Sequence, residues 1–330
     1  MTISIGLIGC GNISRSHLRG YLTVPDQATV TAVADVDLET ATERARQAGG
    51  APPVFPSYER MLEEANVDAV DICLPHHLHA DAIITAAEAG KHILCEKPLC
   101  LTLDEAGRIA DAVGAAGVTL MCAHSQLTLP AVIHARELID SGALGRVYEL
   151  RTTDNFFNDF DPSTMGWRAH AATSGGGELI DTGYHPTYLL LYLASARPAA
   201  VTAMLSTHRL TFMEGEDSAR VLVRFADGAV GEVVTSWAYE AAPFTEKFSA
   251  VGELGSLWSD GATLRHKPRG AAATTVEFPA VDSIPAVCAD FVGRIRNRSR
   301  PVHTHEEGTD VLKIILAAYR SAREKQEISL

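Results

Sequence analysis

The sequence predicts an α/β protein of two domains. Apolar strand-like runs alternate with helix-forming stretches through the first 123 residues, which favours a doubly wound parallel sheet with helices on both faces. After residue 123 consecutive strand-like runs with turn signals between them predict an α+β domain with an open, mostly antiparallel sheet. Because a chain of 330 residues is too long for one ordinary core, we expect domains at 1–123 and 124–330.

The predicted elements of the first domain are regular and closely spaced. The alanine, glutamate and arginine content of 38–48 is typical of a helix, and Ser57 is suited to cap the helix that follows it. Strands are predicted at 3–8, 30–34, 54–55, 69–74, 93–95 and 118–123, and further helices at 12–22, 80–89 and 103–116.

The predicted elements of the second domain are less regular. Asp227-Gly228, between two apolar runs, predicts a β-hairpin, and residues 268–275 are expected to form an exposed loop. Helices are predicted at 131–141, from near Asp181, at 286–297 and at 306–324, and strands at 201–205, 221–225, 230–237, 248–251, 256–258 and 275–278.

Composition and charge exclude several classes of protein. No apolar run reaches the roughly 18–20 residues that span a bilayer, and the N-terminus lacks the layout of a signal peptide. A net charge of −13 argues against a nucleic-acid surface. The six cysteines are scattered through apolar runs, which suits reduced thiols in a cytosolic enzyme. We therefore expect a cytoplasmic protein that acts on small molecules.

A glycine motif lies where the first strand meets the first helix. Gly9 permits a tight turn, Gly11 lets a pyrophosphate approach the backbone, and the helix N-terminus supplies partial positive charge. The third small residue, Ser14, allows the helix to pack closely on the strand. Strand, turn and helix in this order predict a dinucleotide site of the Rossmann type, with Asn12 and Ile13 beside the phosphates.

Asp35 ends the second strand, 21 residues after Ser14. A carboxylate there accepts hydrogen bonds from the ribose hydroxyls and repels a 2′-phosphate, and its immediate neighbours include no arginine. The sequence therefore favours NAD over NADP as the cofactor. The alternative is that Asp35 only caps a turn.

Residues 74–79 (Leu-Pro-His-His-Leu-His) contain three histidines on a strand-to-helix turn, where they point in different directions. No cysteine or carboxylate pair completes a tetrahedral set at a familiar spacing, so we expect no metal. The better interpretation is a loop beneath the nicotinamide end of a cofactor, which would be contacted by Leu74, Pro75 and His79.

Glu96-Lys97-Pro98 follows the fifth strand, at the edge where ligands bind such sheets. A lysine there can reach both a cofactor and its reaction partner, with Glu96 to orient it and to contact the cofactor. Pro98 stops the strand and could form a cis bond that fixes the direction of Lys97. A surface ion pair at a strand end is the alternative.

A second motif begins with Gly175-Gly176-Gly177, which lets the backbone pass close to a ligand or to another chain segment. Asp181 and His185 follow at i and i+4, and would lie on one face of the helix they begin. A carboxylate beside an imidazole is a general acid/base arrangement. Such a pair is also common on exposed helices, but the glycines and the dinucleotide motif favour catalysis here.

Taken in series, these motifs resemble those of the glucose-fructose oxidoreductase/inositol dehydrogenase/MocA (Gfo/Idh/MocA) family over almost the whole chain. The resemblance implies pyridine-nucleotide redox chemistry on sugars, cyclitols or related polyols, and a homodimer or homotetramer formed through the C-terminal sheet. It gives Lys97, Asp181 and His185 the places of the catalytic lysine, aspartate and histidine. It also gives Trp167-Arg168 the place of a segment that often lines the substrate pocket.

The expected reaction is oxidation of a secondary alcohol by hydride transfer to nicotinamide. His185 would accept the hydroxyl proton, Asp181 would orient His185, and Lys97 would stabilise the developing alkoxide. This requires the lysine and the imidazole to converge beside one nicotinamide ring. Substrate contacts are expected from Asn155, Trp167, Arg168 and Tyr184, together with Lys97, Asp181 and His185.

Three other functions remain open on the sequence. The chain could be an NAD-using glycosidase with no net redox, an NADPH-dependent ketosugar reductase, or a non-catalytic dinucleotide-binding sensor. The joint presence of Lys97, Asp181 and His185 argues against the sensor, because sensing needs no proton-transfer group.

Overall fold

Six parallel strands form the first sheet of the computed structural model, which describes residues 2–240 and 246–330. These strands are β1 (Ile3–Ile8), β2 (Ala28–Ala34), β3 (Val54–Phe55), β4 (Ala69–Ile72), β5 (His92–Cys95) and β6 (Leu120–Cys122). Their order, β3-β2-β1-β4-β5-β6, places β1 between β2 and β4. The topological switch point, where ligands bind in such sheets, therefore lies at the carboxyl ends of β1 and β4. The predicted doubly wound fold is confirmed.

The helices of the described residues begin where the sequence supplies caps. The Asp37 and Ser57 side chains accept backbone hydrogen bonds at the starts of α2 (Leu38–Ala48) and α3 (Tyr58–Glu64), and Thr102 and Glu105 form a capping box at α5 (Leu103–Ala116). No helix in these ranges combines the length and apolarity of a membrane span. The other helices are α1 (Asn12–Leu22), α4 (His79–Glu88), α6 (Pro130–Asp140), α7 (Pro162–Met165), α8 (Ala171–Ser174), α9 (Tyr184–Leu193), α10 (Ser283–Asn297) and α11 (His305–Glu324).

The chain folds into two compact units, which differ from the predicted domains in one segment. The first unit comprises the residues up to Ser125 together with Asp282–Thr309, and the second comprises Gln126–Val281 together with Asp310–Leu330. The displaced segment contains α10, which packs against α1. Gly20 permits this packing, because a Cβ there would lie 2.6 Å from Cys288 Cβ. Periodicity identifies α10 as a helix but cannot identify the surface that covers its apolar face.

A nine-stranded sheet forms the centre of the second unit within the described residues. Its strands are β7 (Val147–Asn155), β8 (Pro198–Ser206), β9 (Ser218–Phe225), β10 (Val230–Ser236), β11 (Phe248–Gly252), β12 (Gly255–Ser259), β13 (Thr263–Pro268), β14 (Thr274–Glu277) and β15 (Ile328–Ser329). They lie in the order β14-β13-β12-β11-β7-β10-β9-β8-β15. The β7–β10 pair is parallel and the other neighbouring strands are antiparallel. This confirms the mostly antiparallel sheet, and Gly228, at φ 88°, turns the predicted hairpin between β9 and β10.

Strands β7, β13 and β15 were missed by the sequence analysis. β7 reads Val-Tyr-Glu-Leu-Arg-Thr-Thr-Asp-Asn and lacks a regular alternation of buried and exposed side chains. Pairing with β10 on one side and β11 on the other makes it a strand despite this composition. β13 contains Arg265, His266 and Lys267 and is likewise held by its neighbours. Whether such a segment forms a strand depends on its pairing with neighbouring strands, which the local sequence does not show.

Candidate active site

The loop between β1 and α1 has the geometry that the glycine motif predicts. Gly9 adopts φ +87°, and a Cβ there would lie 2.5 Å from the Cys73 carbonyl oxygen, so a larger residue does not fit. Gly11 precedes α1 without a side-chain cap, and an added Cβ at Gly11 would meet no described atom within 4 Å. The first-turn N–H groups, next to the exposed Asn12 and half-buried Ile13, are therefore suited to a pyrophosphate.

Asp35 ties this loop to the end of β2. Its Oδ2 accepts a hydrogen bond from Cys10 N at 2.6 Å, and its Oδ1 accepts one from Asp37 N at 2.9 Å. Each carboxylate oxygen keeps a further lone pair, so the side chain can still accept a ribose hydroxyl. Asp35 thus has the turn-capping role and retains the capacity for the predicted ribose contact.

Arg44 in α2 contacts this loop, and the sequence did not predict that contact. Its side chain is buried, its Nε donates to Ser14 Oγ at 2.9 Å, and its Nη2 donates to Cys10 O at 2.9 Å and Gly11 O at 3.2 Å. These donors are turned into the loop, so Arg44 fixes its shape and is not presented to a 2′-phosphate. Only the fold brings α2 beneath the loop, so no local pattern marks this arginine.

A buried ionic network lies beside the loop. His17 of α1 is fully buried between two carboxylates, with its Nδ1 2.9 Å from Asp71 Oδ2 and its Nε2 3.0 Å from Glu96 Oε1. Tyr21 also donates to Asp71 Oδ2, at 2.8 Å. Burial opposes the charged imidazole, but the Asp71 carboxylate outweighs it and raises the pKa of His17 well above its ordinary value. His17 is therefore an imidazolium that joins α1 to β4 and to the end of β5.

Glu96 connects this network to Lys97. Its Oε2 accepts a hydrogen bond from Lys97 N at 3.1 Å, while its Oε1 faces His17. The carboxylate therefore orients the Lys97 backbone, as the sequence analysis proposed. The Lys97-Pro98 peptide bond is cis, as predicted, and the Lys97 side chain is half-buried.

The prediction that His79 contacts the cofactor directly requires correction. The imidazole is fully buried, with Nδ1 2.6 Å from Pro98 O and Nε2 2.9 Å from Leu74 O. Burial lowers its pKa, and a neutral ring donates to only one of these carbonyls. His79 therefore holds the β4–α4 loop against the segment after Lys97, while Leu74 and Pro75 remain half-buried.

Two of the three glycines of the second motif, Gly176 and Gly177, serve packing within the second unit. A Cβ at Gly176 would lie 2.1 Å from Tyr319 Oη, and one at Gly177 would lie 2.1 Å from Glu216 O. Of the two uses predicted for these glycines, close approach of another chain segment is therefore the one observed.

The prediction that Asp181 begins a helix is wrong. α9 begins at Tyr184, and Asp181 lies in the preceding turn. Gly183 N donates to Glu178 O at 2.9 Å, a bond that spans five residues where an α-helix spans four. Asp181 and His185 are therefore not two positions on one helical face.

Asp181 is joined to two other predicted site residues. Its Oδ2 lies 2.7 Å from Arg168 Nε, and its side chain is buried. The Arg168 guanidinium stacks over the Trp167 ring, 4.3 Å from its centroid, an arrangement that holds both side chains. The predicted Trp167-Arg168 segment and Asp181 thus form one cluster.

Tyr188 is a partner of His185 that was not predicted. The predicted orienting role of Asp181 stays a prediction. His185 Nδ1 lies 2.9 Å from Tyr188 Oη, which also accepts a hydrogen bond from Gln126 N at 3.0 Å. Tyr188 lies three residues after His185, one helical turn away, and this spacing could have identified it. The expected substrate contact of Tyr184 is also corrected, because this ring is fully buried and packs edge-on against Tyr188.

Asn155, at the end of β7, retains an open hydrogen-bonding atom. Its Oδ1 is buried and has no hydrogen-bond partner among the described residues. A buried acceptor left open is costly unless a ligand or water meets it. This supports the prediction that Asn155 contacts a polar ligand.

Glu178 and Glu216 form an acidic pair in the second unit that was not predicted. Burial raises the pKa of both carboxyl groups, so Glu178 is uncharged well above the ordinary range of a glutamate. Thr235 Oγ1 donates to Glu178, and Tyr319 Oη donates to Glu216 at 3.1 Å. The pair lies immediately behind the glycine motif and supports that turn.

Two family models match the chain. The first, described as an oxidoreductase family with an NAD-binding Rossmann fold, covers residues 3–124. The second, a GFO/IDH/MocA C-terminal domain, covers residues 132–258. The two together cover most of the chain. The first spans all six strands of the parallel sheet, and the second spans β7 to β11 and most of β12.

Curated relatives extend this comparison. Levoglucosan dehydrogenase of Pseudarthrobacter phenanthrenivorans is 32% identical over 70% of this chain and 66% of its own length. scyllo-Inositol 2-dehydrogenase (NAD(+)) of Bacillus subtilis is 28% identical, over 99% of this chain and 96% of that enzyme. Among solved structures, levoglucosan dehydrogenase in complex with NADH and levoglucosan superposes with a TM-score of 0.92 at 27% identity, covering 100% of this chain and 99% of that one.

Proposed function

Because the chain belongs to the Gfo/Idh/MocA family of oxidoreductases, we propose that it is an NAD-dependent dehydrogenase that oxidises a secondary alcohol of a sugar, cyclitol or related polyol. The observation that carries this proposal is the placement of Lys97. The His17–Glu96 network fixes this lysine at the carboxyl edge of the sheet that also carries the dinucleotide loop. The levoglucosan and inositol dehydrogenases among its relatives support the polyol substrate class.

The first unit fits a dinucleotide. Gly9, Gly11 and the uncapped start of α1 would hold its pyrophosphate, and Asp35 would accept the adenosine ribose hydroxyls. When bound, NAD supplies the hydride acceptor of the reaction. The Asp35 carboxylate would repel a 2′-phosphate, and Arg44 has its donors turned into the loop. We therefore propose NAD over NADP, which the dissociation constants of the two nucleotides would test.

The proton chemistry is assigned to His185 and Lys97. For His185 Nε2 to accept the hydroxyl proton, Nδ1 must carry the ring hydrogen and donate it to Tyr188 Oη. Tyr188 then favours this tautomer and stabilises the imidazolium that forms. The Lys97 ammonium would donate a hydrogen bond to the reacting oxygen and so stabilise the developing alkoxide.

Substrate binding is assigned to the polar cluster of the second unit. Asn155 offers an unsatisfied acceptor, and the half-buried Trp167 ring, with Arg168 stacked over it, would add an apolar contact to sugar C–H groups. Arg168, held by Asp181, offers its remaining N–H groups. Several neutral and cationic donors and acceptors suit a polyhydroxylated substrate.

The test combines activity with cofactor affinity. Lys97→Ala and His185→Ala should reduce turnover by roughly 10²–10⁴-fold, while the NAD dissociation constant stays nearly unchanged. Matched controls are Lys313→Ala and His134→Ala, which remove an exposed lysine and a surface histidine that each pair with a local carboxylate. Non-additive losses in the double variant would support one shared step.

The substrate panel should contain cyclitols, aldoses, anhydrosugars and sugar acids, assayed with NAD at mildly alkaline pH. Steady production of NADH supports the dehydrogenase. Release of an aglycone from glycosides without NADH would instead identify an NAD-using glycosidase. Loss of NAD binding in the Lys97 or His185 variants, with no separate loss of turnover, would contradict the assigned roles.

We further propose that the enzyme is a cytoplasmic homodimer or homotetramer assembled through the second sheet. Met204 and Leu222 are 79% and 48% exposed on adjacent strands β8 and β9, and exposed apolar side chains on an open sheet favour association. Light scattering of the wild type and of Met204→Glu tests this, since a charge at the contact should dissociate the oligomer.

A further inference from the structure

We propose that the first unit carries a second binding site, which takes a small anion with several negative charges, such as a phosphorylated metabolite. The site is a cavity at the amino-terminal edge of the parallel sheet, the edge opposite to the dinucleotide loop. Its volume is about 1080 Å³, which is sufficient for a small organic molecule. The starts of β1, β4, β5 and β6 line it on one side, and the segment between α10 and α11 lines it on another.

The cavity concentrates positive charge in a strongly acidic chain. The chain as a whole carries a net charge of −13. The cavity is nevertheless lined by Lys91, Arg296, Arg298 and Arg300, together with two histidines. Such a local reversal of sign attracts anions.

Asp68 is the acidic residue in this lining, and it does not neutralise the four basic side chains. Its Oδ2 accepts hydrogen bonds from Ser4 N at 2.8 Å and Ser4 Oγ at 2.6 Å. These bonds lower its pKa and keep it ionised. Asp68 therefore contributes one negative charge, which is already hydrogen-bonded to β1, against four positive ones.

Three of the four cations are available to a ligand. Arg300 is engaged, since its Nη2 lies 2.8 Å from Glu306 and 2.6 Å from Glu307. Lys91, Arg296 and Arg298 form no ion pair with any residue in the described part of the chain. A guanidinium group can donate two parallel hydrogen bonds to one phosphate group, so two arginines and a lysine can hold a phosphorylated ligand.

The backbone at Arg298 gives an independent indication. Arg298 ends α10 in the left-handed region, at φ 51° and ψ 41°, where glycine is the usual residue. An arginine there carries a conformational cost that glycine would avoid. Arg298 is one of the residues that line the cavity, which gives a reason for arginine at this position.

An alternative explanation is that these cations only balance helix ends. α4, α5 and α10 finish close to the cavity lining, and positive side chains stabilise helix C-termini. This alternative predicts that removing Arg298 destabilises the protein without any ligand. It also predicts that phosphate changes the unfolding temperature only as much as any salt of the same ionic strength does. The two explanations therefore predict different results for a variant that lacks Arg298.

The experiment measures the unfolding temperature and pyrophosphate affinity of the full chain, with NAD at saturation to occupy the dinucleotide loop. Pyrophosphate is the probe, compared with sodium chloride at equal ionic strength. With NAD bound, we expect pyrophosphate to raise the unfolding temperature and sodium chloride at the same ionic strength to leave it unchanged. Arg298→Gly should raise the unfolding temperature without pyrophosphate, because it relieves the left-handed backbone, and should weaken pyrophosphate binding at least tenfold.

A matched pair of helix-end variants completes the test. Arg296→Gln should weaken pyrophosphate binding, whereas Arg323→Gln should not, although both are exposed arginines in the last turn of a helix. Equal pyrophosphate affinity in Arg298→Gly and wild type would overturn the proposal. So would a pyrophosphate response that matches sodium chloride, or one that vanishes when NAD is saturating.

Discussion

Glu96 Oε1 lies 3.0 Å from His17 Nε2, and this contact links the helix that starts at the dinucleotide loop to the residue before Lys97. Asp71 holds the other ring nitrogen, at 2.9 Å. His17 therefore carries its positive charge between two buried carboxylates. Breaking such a group by removing one member is costly, because it leaves a buried charge uncompensated.

His17→Gln should lower the free energy of unfolding by about 3–5 kcal/mol at pH 6, and should reduce turnover more than NAD affinity. Because the folded pKa of His17 is raised, its contribution is fully present below the ordinary histidine pKa and is lost as pH rises through the folded value. The stability gap between variant and wild type should therefore narrow towards alkaline pH. Urea unfolding across pH measures it, with the exposed Arg19→Gln of the same helix as control.

Tyr188→Phe should reduce turnover about tenfold, the effect of losing one hydrogen bond of roughly 1.4 kcal/mol at the base. Loss of the acceptor at His185 Nδ1 makes the imidazolium less stable. The acidic limb of the kcat/KM profile should therefore move to lower pH. Tyr192→Phe on the same helix is the control, and an unchanged pH profile in Tyr188→Phe would contradict the proposed orientation of His185.

Arg44→Lys should raise the NAD dissociation constant by roughly 10–100-fold, the equivalent of losing charged hydrogen bonds of about 1.5–3 kcal/mol. Lysine cannot reproduce the three contacts that the guanidinium makes with Ser14, Cys10 and Gly11. Isothermal titration calorimetry measures this dissociation constant. Arg46→Lys, an exposed position on the same helix, should bind NAD as the wild type does, and equal affinity in both variants would refute the role of Arg44.

Glu178→Gln should stabilise the protein, by on the order of 1–3 kcal/mol at pH 8, and less at pH 5. Since burial raises the folded pKa of Glu178, the wild type loses stability as pH rises above the ordinary glutamate pKa. Glutamine carries no charge and avoids this loss. Unfolding in urea at both pH values tests this, with the exposed Glu149→Gln as control; a pH-independent difference would argue against a titrating Glu178.

The first unit could be predicted closely because its signals are local. A buried parallel strand is a short apolar run, and caps such as Asp37 and Ser57 lie within a few residues of the helices they start. The glycine motif and Asp35 were identified for the same reason. Arg44 and His17 were missed, because their partners lie on other strands and helices.

The second unit was harder to predict, since its functional contacts form across its sheet and turns. The i, i+4 spacing of Asp181 and His185 suggested one helix, but Gly183 packs against Leu179 and the chain turns there before α9 begins. Arg168 is a partner of Asp181 and Tyr188 is a partner of His185, and neither contact was predicted. Spacing along a sequence does not reveal such a turn.

The sequence alone thus determined the two-sheet architecture, the dinucleotide loop and the chemical character of Lys97 and His185, because each depends on residue type and short-range order. Tertiary structure decided which groups touch: Glu96 with His17, Asp181 with Arg168, and His185 with Tyr188. It also decided which are charged. The Asp71 carboxylate raises the pKa of His17 against the effect of burial and keeps the imidazole charged, whereas burial raises the pKa of Glu178 and keeps that carboxyl group uncharged. Hydrogen bonds and desolvation depend on distances of a few ångströms, and only the folded chain fixes these.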